Sequence, residues 1–143
     1  MVRPSAQRER EIGLEVFYTD TPGTGGKLKA CPEDFVVEEV SKYPPEKTDG
    51  RYCVARVTAT NWETNRLVRH MAKALGISRN GIGFAGTKDK RAVTTQLMSF
   101  EAPVEQVMAL RIPQVRVEGG YMARQGMALG DLVGNAFKVI VRG

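Results

Sequence analysis

An aspartate set among cations is the clearest candidate for chemistry in this sequence. Asp89 lies between Lys88 and Lys90, and Arg91 follows directly, in the segment GFAGTKDKRAVTTQ. Because nearby positive charges lower the pKa of a carboxylic acid, this setting favours an ionised carboxylate. Such a carboxylate can act as a nucleophile or a general base, and the flanking cations can hold phosphates of a polynucleotide. From these residues alone, a solvated hairpin tip whose charges pair with one another is the more common structure.

Two strands are predicted to hold this candidate segment in place. Ile82–Ala85 is a short apolar run, and Val93–Phe100 is a longer strand-like segment. The polar residues Gly86–Arg91 between them indicate a turn. The carboxylate of Asp89 is therefore expected to project from a rigid scaffold.

Further strands are predicted before and after this region. They are indicated around Phe35, over Tyr52–Thr58, at Val115–Glu118 and over Ala136–Val141. In the second of them, Cys53, Ala55 and Val57 can line one face of a sheet. The segments Thr19–Gly26 and Lys42–Gly50 are rich in turn-forming residues, so both are predicted to be loops.

One long helix is predicted over Trp62–Leu75. Its apolar side is formed by residues at helical spacing, namely Leu67, Val68, Met71, Ala72 and Leu75. Thr60 and Glu63 match a capping box at its start, and Gly76 suits a left-handed cap at its end. Pro103 opens a second, short helix over Val104–Leu110. The element order predicts an α+β fold with few helices and a mixed, mainly antiparallel sheet of at least five strands.

The composition sets bounds on the class of protein. The chain has 143 residues, a size that suits one domain, and its net charge of +5 favours a polyanionic partner. Cys31 and Cys53 form no CxxC pair, so a thiolate zinc site is not supported, and two buried thiols are expected instead. The first residues lack the apolar core of a secretory signal, and no apolar run reaches the length of a membrane span. A cytoplasmic protein is predicted.

Three segments resemble the TruD family of pseudouridine synthases. GTKDKRAVTTQ is similar to the family signature that carries the catalytic aspartate, with matches at Gly86, Lys88, Asp89, Lys90, Ala92, Thr94 and Gln96. The segments Pro32–Glu39 (PEDFVVEE) and Gly134–Phe137 (GNAF) also resemble the family, in the same order along the chain. The aspartate segment is the most specific of the three.

The resemblance implies that a uridine of RNA is isomerised to pseudouridine, usually the uridine at position thirteen of tRNA. It implies Asp89 as the nucleophile, with neither cofactor nor metal, and leaves open whether C6 of the base or C1′ of the ribose is attacked. The fold would be part of a pseudouridine synthase-like catalytic core. Residues 19–143 would be the N-terminal half of the catalytic domain, truncated before an inserted domain, and residues 1–18 an N-terminal arm or first strand region.

The resemblance also assigns residues to the substrate side of the site. Lys29 and Glu33 match positions near the cleft, and Phe35 matches an aromatic that can cover the target base. For Lys29 an ordinary exposed lysine, and for Phe35 a core position, are equally open. The cations Lys88, Lys90 and Arg91 would meet RNA phosphates.

Asn135 and Phe137 complete this set. The amide of Asn135 suits hydrogen bonding to a base edge, although a turn residue after Gly134 is an alternative. Phe137 alternates with Val139 and Val141, which by pattern favours core packing, whereas the resemblance places it beside the base.

Two other functions fit some of the residues. A non-catalytic RNA-binding module could use the basic turn and Phe35 without any reaction, and Asp89 would then weaken its binding. A nucleotide-binding domain is suggested by the glycines of TPGTGG, but this loop lacks the GxxxxGK[ST] pattern.

Overall fold

Six strands form one sheet with a helix packed against it, in a computed structural model that describes residues 31–88 and 90–141. The strands are β1 (Phe35–Ser41), β2 (Tyr52–Thr60), β3 (Ile82–Phe84), β4 (Val93–Phe100), β5 (Val115–Ala123) and β6 (Leu132–Val139). The helices are α1 (Thr64–Leu75) and α2 (Val104–Met108), and short 3-10 turns lie at Pro32–Asp34 and Arg79–Gly81. The predicted arm at 1–18 and the predicted loop Thr19–Gly26 lie outside the described residues.

The strand order is β5-β2-β4-β1-β6, with β3 paired to β4. The pair β1–β4 is parallel, and every other pair among the described strands is antiparallel. One edge of β4 is shared, because β1 pairs with its first residues and β3 with its last. The predicted α+β class with a mixed, mainly antiparallel sheet is confirmed.

The main hydrophobic core lies between α1 and one face of the sheet. Leu67, Val68 and Met71 of α1 pack with alternate residues of β2, from Cys53 to Ala59. The expectation that Cys53, Ala55 and Val57 line one face is therefore confirmed. A second, smaller cluster around Val54, Leu97 and Met127 covers the opposite face.

The start of α1 differs from the predicted capping box. β2 continues through Thr60, so Thr60 is a strand residue, and the cap is Glu63. Its carboxylate accepts hydrogen bonds from the backbone N–H groups of Asn65 (2.9 Å) and Arg66 (3.0 Å).

The residues that flank α1 are also held in place. Trp62 precedes the helix, and its indole N–H donates to the carbonyl of Pro113 (2.9 Å). At the other end Gly76 adopts φ 68°, so the predicted left-handed cap is confirmed.

Several other boundaries were predicted less well. β5 runs on to Ala123, because Gly119 at φ 65° lets the chain continue past the predicted end at Glu118. β6 begins at Leu132 instead of Ala136, since its pairing with β1 extends further than its apolar alternation does. The short helix ends at Met108, and Pro103 is its N-cap rather than a first-turn residue.

None of the helices within the described residues is long and apolar enough to cross a membrane.

The two thiols differ in accessibility. Both are free, but Cys31 is half-buried and only Cys53 is fully buried, which corrects the expectation of two buried thiols. Burial raises the pKa of the Cys53 thiol to about 11, with a further contribution from the negative charge of Glu105.

We expect iodoacetamide at pH 8 to alkylate Cys31 in the folded protein and to leave Cys53 unmodified. With a pKa of about 11, Cys53 holds on the order of one thiolate per thousand molecules at that pH. Peptide mass spectrometry measures both sites, and labelling in guanidinium chloride is the control in which both react. Equal labelling of both cysteines in the native protein would contradict the described burial.

The Glu63 cap predicts a pH-dependent contribution to stability. Hydrogen bonding to the Asn65 N–H lowers the pKa of Glu63 below its ordinary 4.5. A lowered folded-state pKa stabilises the protein above the unfolded pKa, and this is lost as the pH falls through the folded value. We expect Glu63→Ala to cost about 1 kcal/mol at pH 7 and clearly less at pH 3, measured by urea unfolding. Thr60→Ala, which removes the hydroxyl of the residue wrongly predicted as the cap, should show no such pH dependence.

Candidate functional site

The loop between β3 and β4 is held to three other parts of the chain. The backbone N–H of Lys88 donates to Thr64 Oγ1 (2.8 Å), in the first turn of α1. The side-chain amide of Gln96 on β4 donates to the carbonyl of Gly86 (3.4 Å). On the far side, the carbonyl of Ala92 accepts from the N–H of Asn61 (3.0 Å). Asp89 itself lies outside the described residues, but the loop is anchored before and after it.

A buried ion pair fixes the side chain that precedes Asp89. Lys88 Nζ lies 2.8 Å from Glu39 Oε2, and the two side chains are 5% and 0% exposed. The other carboxylate oxygen of Glu39 accepts from the hydroxyl of Ser41 (2.7 Å) and from the backbone N–H of Leu97 (3.4 Å). Sequence reasoning gave Glu39 no role, although its alternation with Val37 on β1 could have placed it on a buried face.

The loop cations therefore occupy different environments. Lys90 and Arg91 are exposed, as expected for groups that meet RNA phosphates. The ammonium of Lys88 is directed at Glu39 and has little contact with solvent. Substrate binding by these three residues stays a prediction, and for Lys88 it would require the ammonium to leave its carboxylate partner.

An aromatic pair lies on β1 and β6, the last two strands of the sheet. The rings of Phe35 and Phe137 are 5.9 Å apart between centroids and inclined at 54°. The core position predicted by pattern for Phe137 is wrong, because its side chain is 61% exposed. Val139 and Val141 are also largely exposed, since no element within the described residues covers β6.

Asn135 lies within β6 and is exposed, so the alternative of a turn residue is wrong. It pairs with Glu39 across the β1–β6 ladder, and Phe137 pairs with Val37. Directly opposed residues of an antiparallel pair project from the same face. Asn135, Phe137 and the Glu39–Lys88 pair therefore share one face of the sheet.

That face is the one on which α1 packs. Val37 is paired with Thr94 on β4, and Thr94 is paired with Ala59 of the α1 core, so all three side chains project from the same face. The face is filled by α1 over β2 and is open over β6. The Lys88 end of the loop lies between these two regions, bonded to α1 through Thr64 and to β1 through Glu39.

Of the two remaining predicted residues, the structure describes Glu33, which lies just before β1. Glu33 is exposed in the 3-10 turn that leads into Phe35, and its neighbour Asp34 is fully buried. Asp34 was missed because a charged residue in a Pro-containing turn is ordinarily solvated. Lys29 lies outside the described residues. Within them, no group of three or more His, Cys, Asp or Glu side chains is arranged to hold a metal ion.

Comparison with known proteins identifies the class to which this fold and loop belong. The family model described as tRNA pseudouridine synthase D (TruD) matches residues 11–143. The chain belongs to the tRNA pseudouridine synthase D family, which confirms the resemblance inferred from the three segments.

Individual relatives agree. The chain is 41% identical over 136 residues to a probable tRNA pseudouridine synthase D of Archaeoglobus fulgidus, covering 94% of this chain and 33% of that protein. It is 42% identical over 132 residues to a tRNA pseudouridine synthase D of Geobacter sp., covering 90% of this chain and 33% of the relative. A crystal structure of the putative tRNA pseudouridine synthase D of Methanosarcina mazei superposes with a TM-score of 0.82 at 36% identity, over 94% of this chain and 31% of that one. The chain thus spans about a third of the length of these relatives.

The Glu39–Lys88 pair predicts a stability difference between two neighbouring glutamates. Glu39→Gln should lower the free energy of unfolding by about 3 kcal/mol, because it leaves a buried ammonium without its counter-charge. Glu38→Gln is the matched control, since Glu38 bonds Arg56 at 2.7 Å but both side chains are about half exposed. Its expected cost is below about 1 kcal/mol. Urea unfolding measures both, and equal costs would show that the Lys88 contact contributes no more than a surface pair.

Proposed function

We propose that this chain takes part in isomerising the uridine at position thirteen of tRNA to pseudouridine, with Asp89 as the nucleophile. Membership of the tRNA pseudouridine synthase D family supports the reaction class. The observation that carries the assignment of the site is the anchoring of the Asp89 loop. Lys88 is fixed through both its backbone and its side chain, next to a sheet face that is open over β6.

The proposed reaction conserves all atoms and electrons. The carboxylate of Asp89 attacks either C6 of the uracil or C1′ of the ribose, and the bond between N1 and C1′ breaks. The base turns, a bond forms between C5 and C1′, the proton on C5 is lost, and N1 takes up a proton. Asp89 is released at the end. Because substrate and product are isomers, the proposed step calls for no oxidant, reductant or other co-reactant.

The open face suits a base that has left its stack. A target nucleotide inside folded RNA must be unstacked before a protein carboxylate can reach it, and the flipped base then needs apolar and polar contacts. Phe137 offers an exposed ring steadied by Phe35, and Asn135 offers an amide on the same face. We assign Phe35, Phe137 and Asn135 to the uracil.

Charged residues around the loop are assigned to the rest of the RNA. Lys90 and Arg91 are exposed and suit phosphates next to the target nucleotide. Lys29 and Glu33 are assigned to the entrance of the site by the resemblance alone. Lys88 is assigned mainly to holding the loop, because its ammonium is already paired with Glu39.

Residues 19–143 are proposed to correspond to the N-terminal half of the catalytic domain in the longer relatives. Exposed aliphatic side chains of β6 support this proposal, since Val133 and Val139 are 70% and 43% exposed. Apolar residues at such exposure on an edge strand suit a surface that further structure covers. A tRNA substrate also favours a cytoplasmic location for the protein.

The test compares Asp89→Asn with the wild type in the full-length product of the gene that encodes this chain. Unmodified tRNA transcripts are incubated with each protein, and pseudouridine is mapped by carbodiimide-dependent stops of primer extension. We expect a stop at position thirteen with the wild type and a rate at least about 1000-fold lower with Asp89→Asn, because an amide is not a nucleophile of comparable strength. Affinity for tRNA should be largely retained.

Asp49→Asn is the control, because it removes a carboxylate that is 83% exposed in a different loop. It should leave the stop unchanged, and a transcript with cytidine at position thirteen should give none. Absence of any stop with the wild type would overturn the reaction, and an undiminished stop with Asp89→Asn would overturn the nucleophile. Tighter RNA binding by Asp89→Asn without any product from the wild type would favour a non-catalytic RNA-binding module.

A further inference from the structure

We propose that the exposed side of α1 binds the phosphodiester backbone of tRNA outside the reacting nucleotide. The cations of this surface, here named the basic face, are Arg66, Arg69 and Lys73. The inference rests on the proposed function, because the RNA that reaches Asp89 is taken to be the RNA that covers α1.

The charge of α1 has one sign only. Its twelve residues, TNRLVRHMAKAL, contain three cations and no Asp or Glu. The apolar residues of α1 face the core. The three cations share one side of the helix because they are three and four positions apart, and that side is opposite the apolar one. An exposed helix in a globular protein commonly carries both signs of charge, which stabilise it through neighbouring pairs. Here like charges are neighbours, at a small cost to the helix.

The basic face is not neutralised by the rest of the described chain. Among residues 31–88 and 90–141, the ion pairs join other cations to carboxylates and none involves the basic face. Glu63 lies at the N-terminal end of α1, and its pKa is lowered mainly by hydrogen bonding to the Asn65 N–H and to a smaller extent by the charge of Arg69. The oxygens of Glu63 are nevertheless engaged as the cap of α1.

The ring of Trp62 holds Arg66 at the N-terminal end of the basic face. The guanidinium of Arg66 lies 5.7 Å from the centre of the Trp62 ring, and the His70 ring meets Trp62 edge-on at 4.9 Å. Trp62 is itself tied to Pro113 by its indole N–H. An arginine held in this way loses less side-chain entropy when it binds a phosphate than a freely rotating one.

The basic face continues directly from the Asp89 loop. Lys90 and Arg66 line the same depression, together with Trp62 and Glu63. Arg66, Arg69, His70 and Lys73 line the next depression along the helix. From Arg66 to Lys73 the helix rises about 10 Å, at 1.5 Å per residue. An RNA strand whose target nucleotide is at Asp89 therefore has neighbouring phosphates within reach of this row.

The shape of the surface favours a polyanion over a small anion. The cations are spread along the helix instead of converging on one point, since Lys90 and Lys73 line different depressions. A line of separate positive charges matches a backbone with one negative charge per nucleotide. An acidic protein is the competing partner, and the experiment below separates the two.

The experiment measures binding of unmodified tRNA by the full-length protein as a function of salt. The variant Arg66→Gln/Arg69→Gln/Lys73→Gln removes the basic face while keeping polar, helix-compatible side chains. Each lost phosphate contact should reduce the slope of log K against log[salt] by about 0.7 to 0.9. We expect a total reduction of about 2 and affinity about 10- to 100-fold weaker near 0.1 M salt, with an unchanged rate of product formation at saturating tRNA.

The control removes the same charge elsewhere, with Arg51→Gln/Arg116→Gln/Arg124→Gln. All three residues are exposed, and Arg116 lies on the face of the sheet opposite α1, since it alternates with Val115 and Val117 of the α1 core. This variant should change the slope by less than about 0.5, because non-contacting charges act only through the general field.

The outcomes separate this inference from the proposed function. Equal salt slopes for the two triple variants would overturn the basic face as an RNA surface, even if the wild type forms pseudouridine. A basic-face variant that binds tRNA as the wild type does would also overturn it, and would point to a different partner for α1. A selective loss of slope without any pseudouridine from the wild type would uphold the RNA surface and overturn the reaction.

Discussion

The contact between Glu39 and Lys88 is the constraint on which the rest of the site depends. Removing two charges from water costs more than their attraction returns unless the remaining hydrogen-bonding positions are also satisfied. Here the Ser41 hydroxyl and the Leu97 backbone N–H donate to one oxygen of Glu39, and Lys88 donates to the other. The pair therefore requires β1, β4 and the loop to keep one relative placement, and the bond from Lys88 to Thr64 adds α1 to the same arrangement.

The position of β1 explains why the site lies where it does. β1 runs parallel to β4 and antiparallel to β6, so its buried face carries Glu39 level with the loop on one side and Asn135 on the other. The same register pairs Phe137 with Val37, so the exposed ring lies on that face next to Asn135. A slip of one residue in β6 would turn Asn135 and Phe137 to the opposite face. The register of this edge pair is thus as important to the site as the loop itself.

Much of the fold could be predicted from local pattern, whereas the contacts that build the site could not. Alternation and helical spacing gave the strands and α1 because one face of each element is buried. The same alternation misplaced Phe137, since a period of two does not distinguish a strand covered by the core from an edge strand that is open. The Glu39–Lys88 ion pair could not be predicted from local pattern, because its two residues are 49 positions apart in the sequence. The capping box failed for a local reason, because β2 extends to Thr60 and leaves the cap to Glu63.

The two lysines that flank Asp89 look equivalent in the sequence, but in the structure Lys88 is buried in an ion pair and Lys90 is exposed. Glu39 cancels most of the charge of Lys88, so that lysine contributes rigidity more than positive potential. Lys90 and Arg91 remain exposed and supply the cationic field beside the acid. If Lys88 were as exposed as Lys90, the loop would lose its ion-pair connection to β1. Burying one cation while exposing the others anchors the loop and leaves positive charge at its surface, and the cations of the basic face continue that exposed charge along α1.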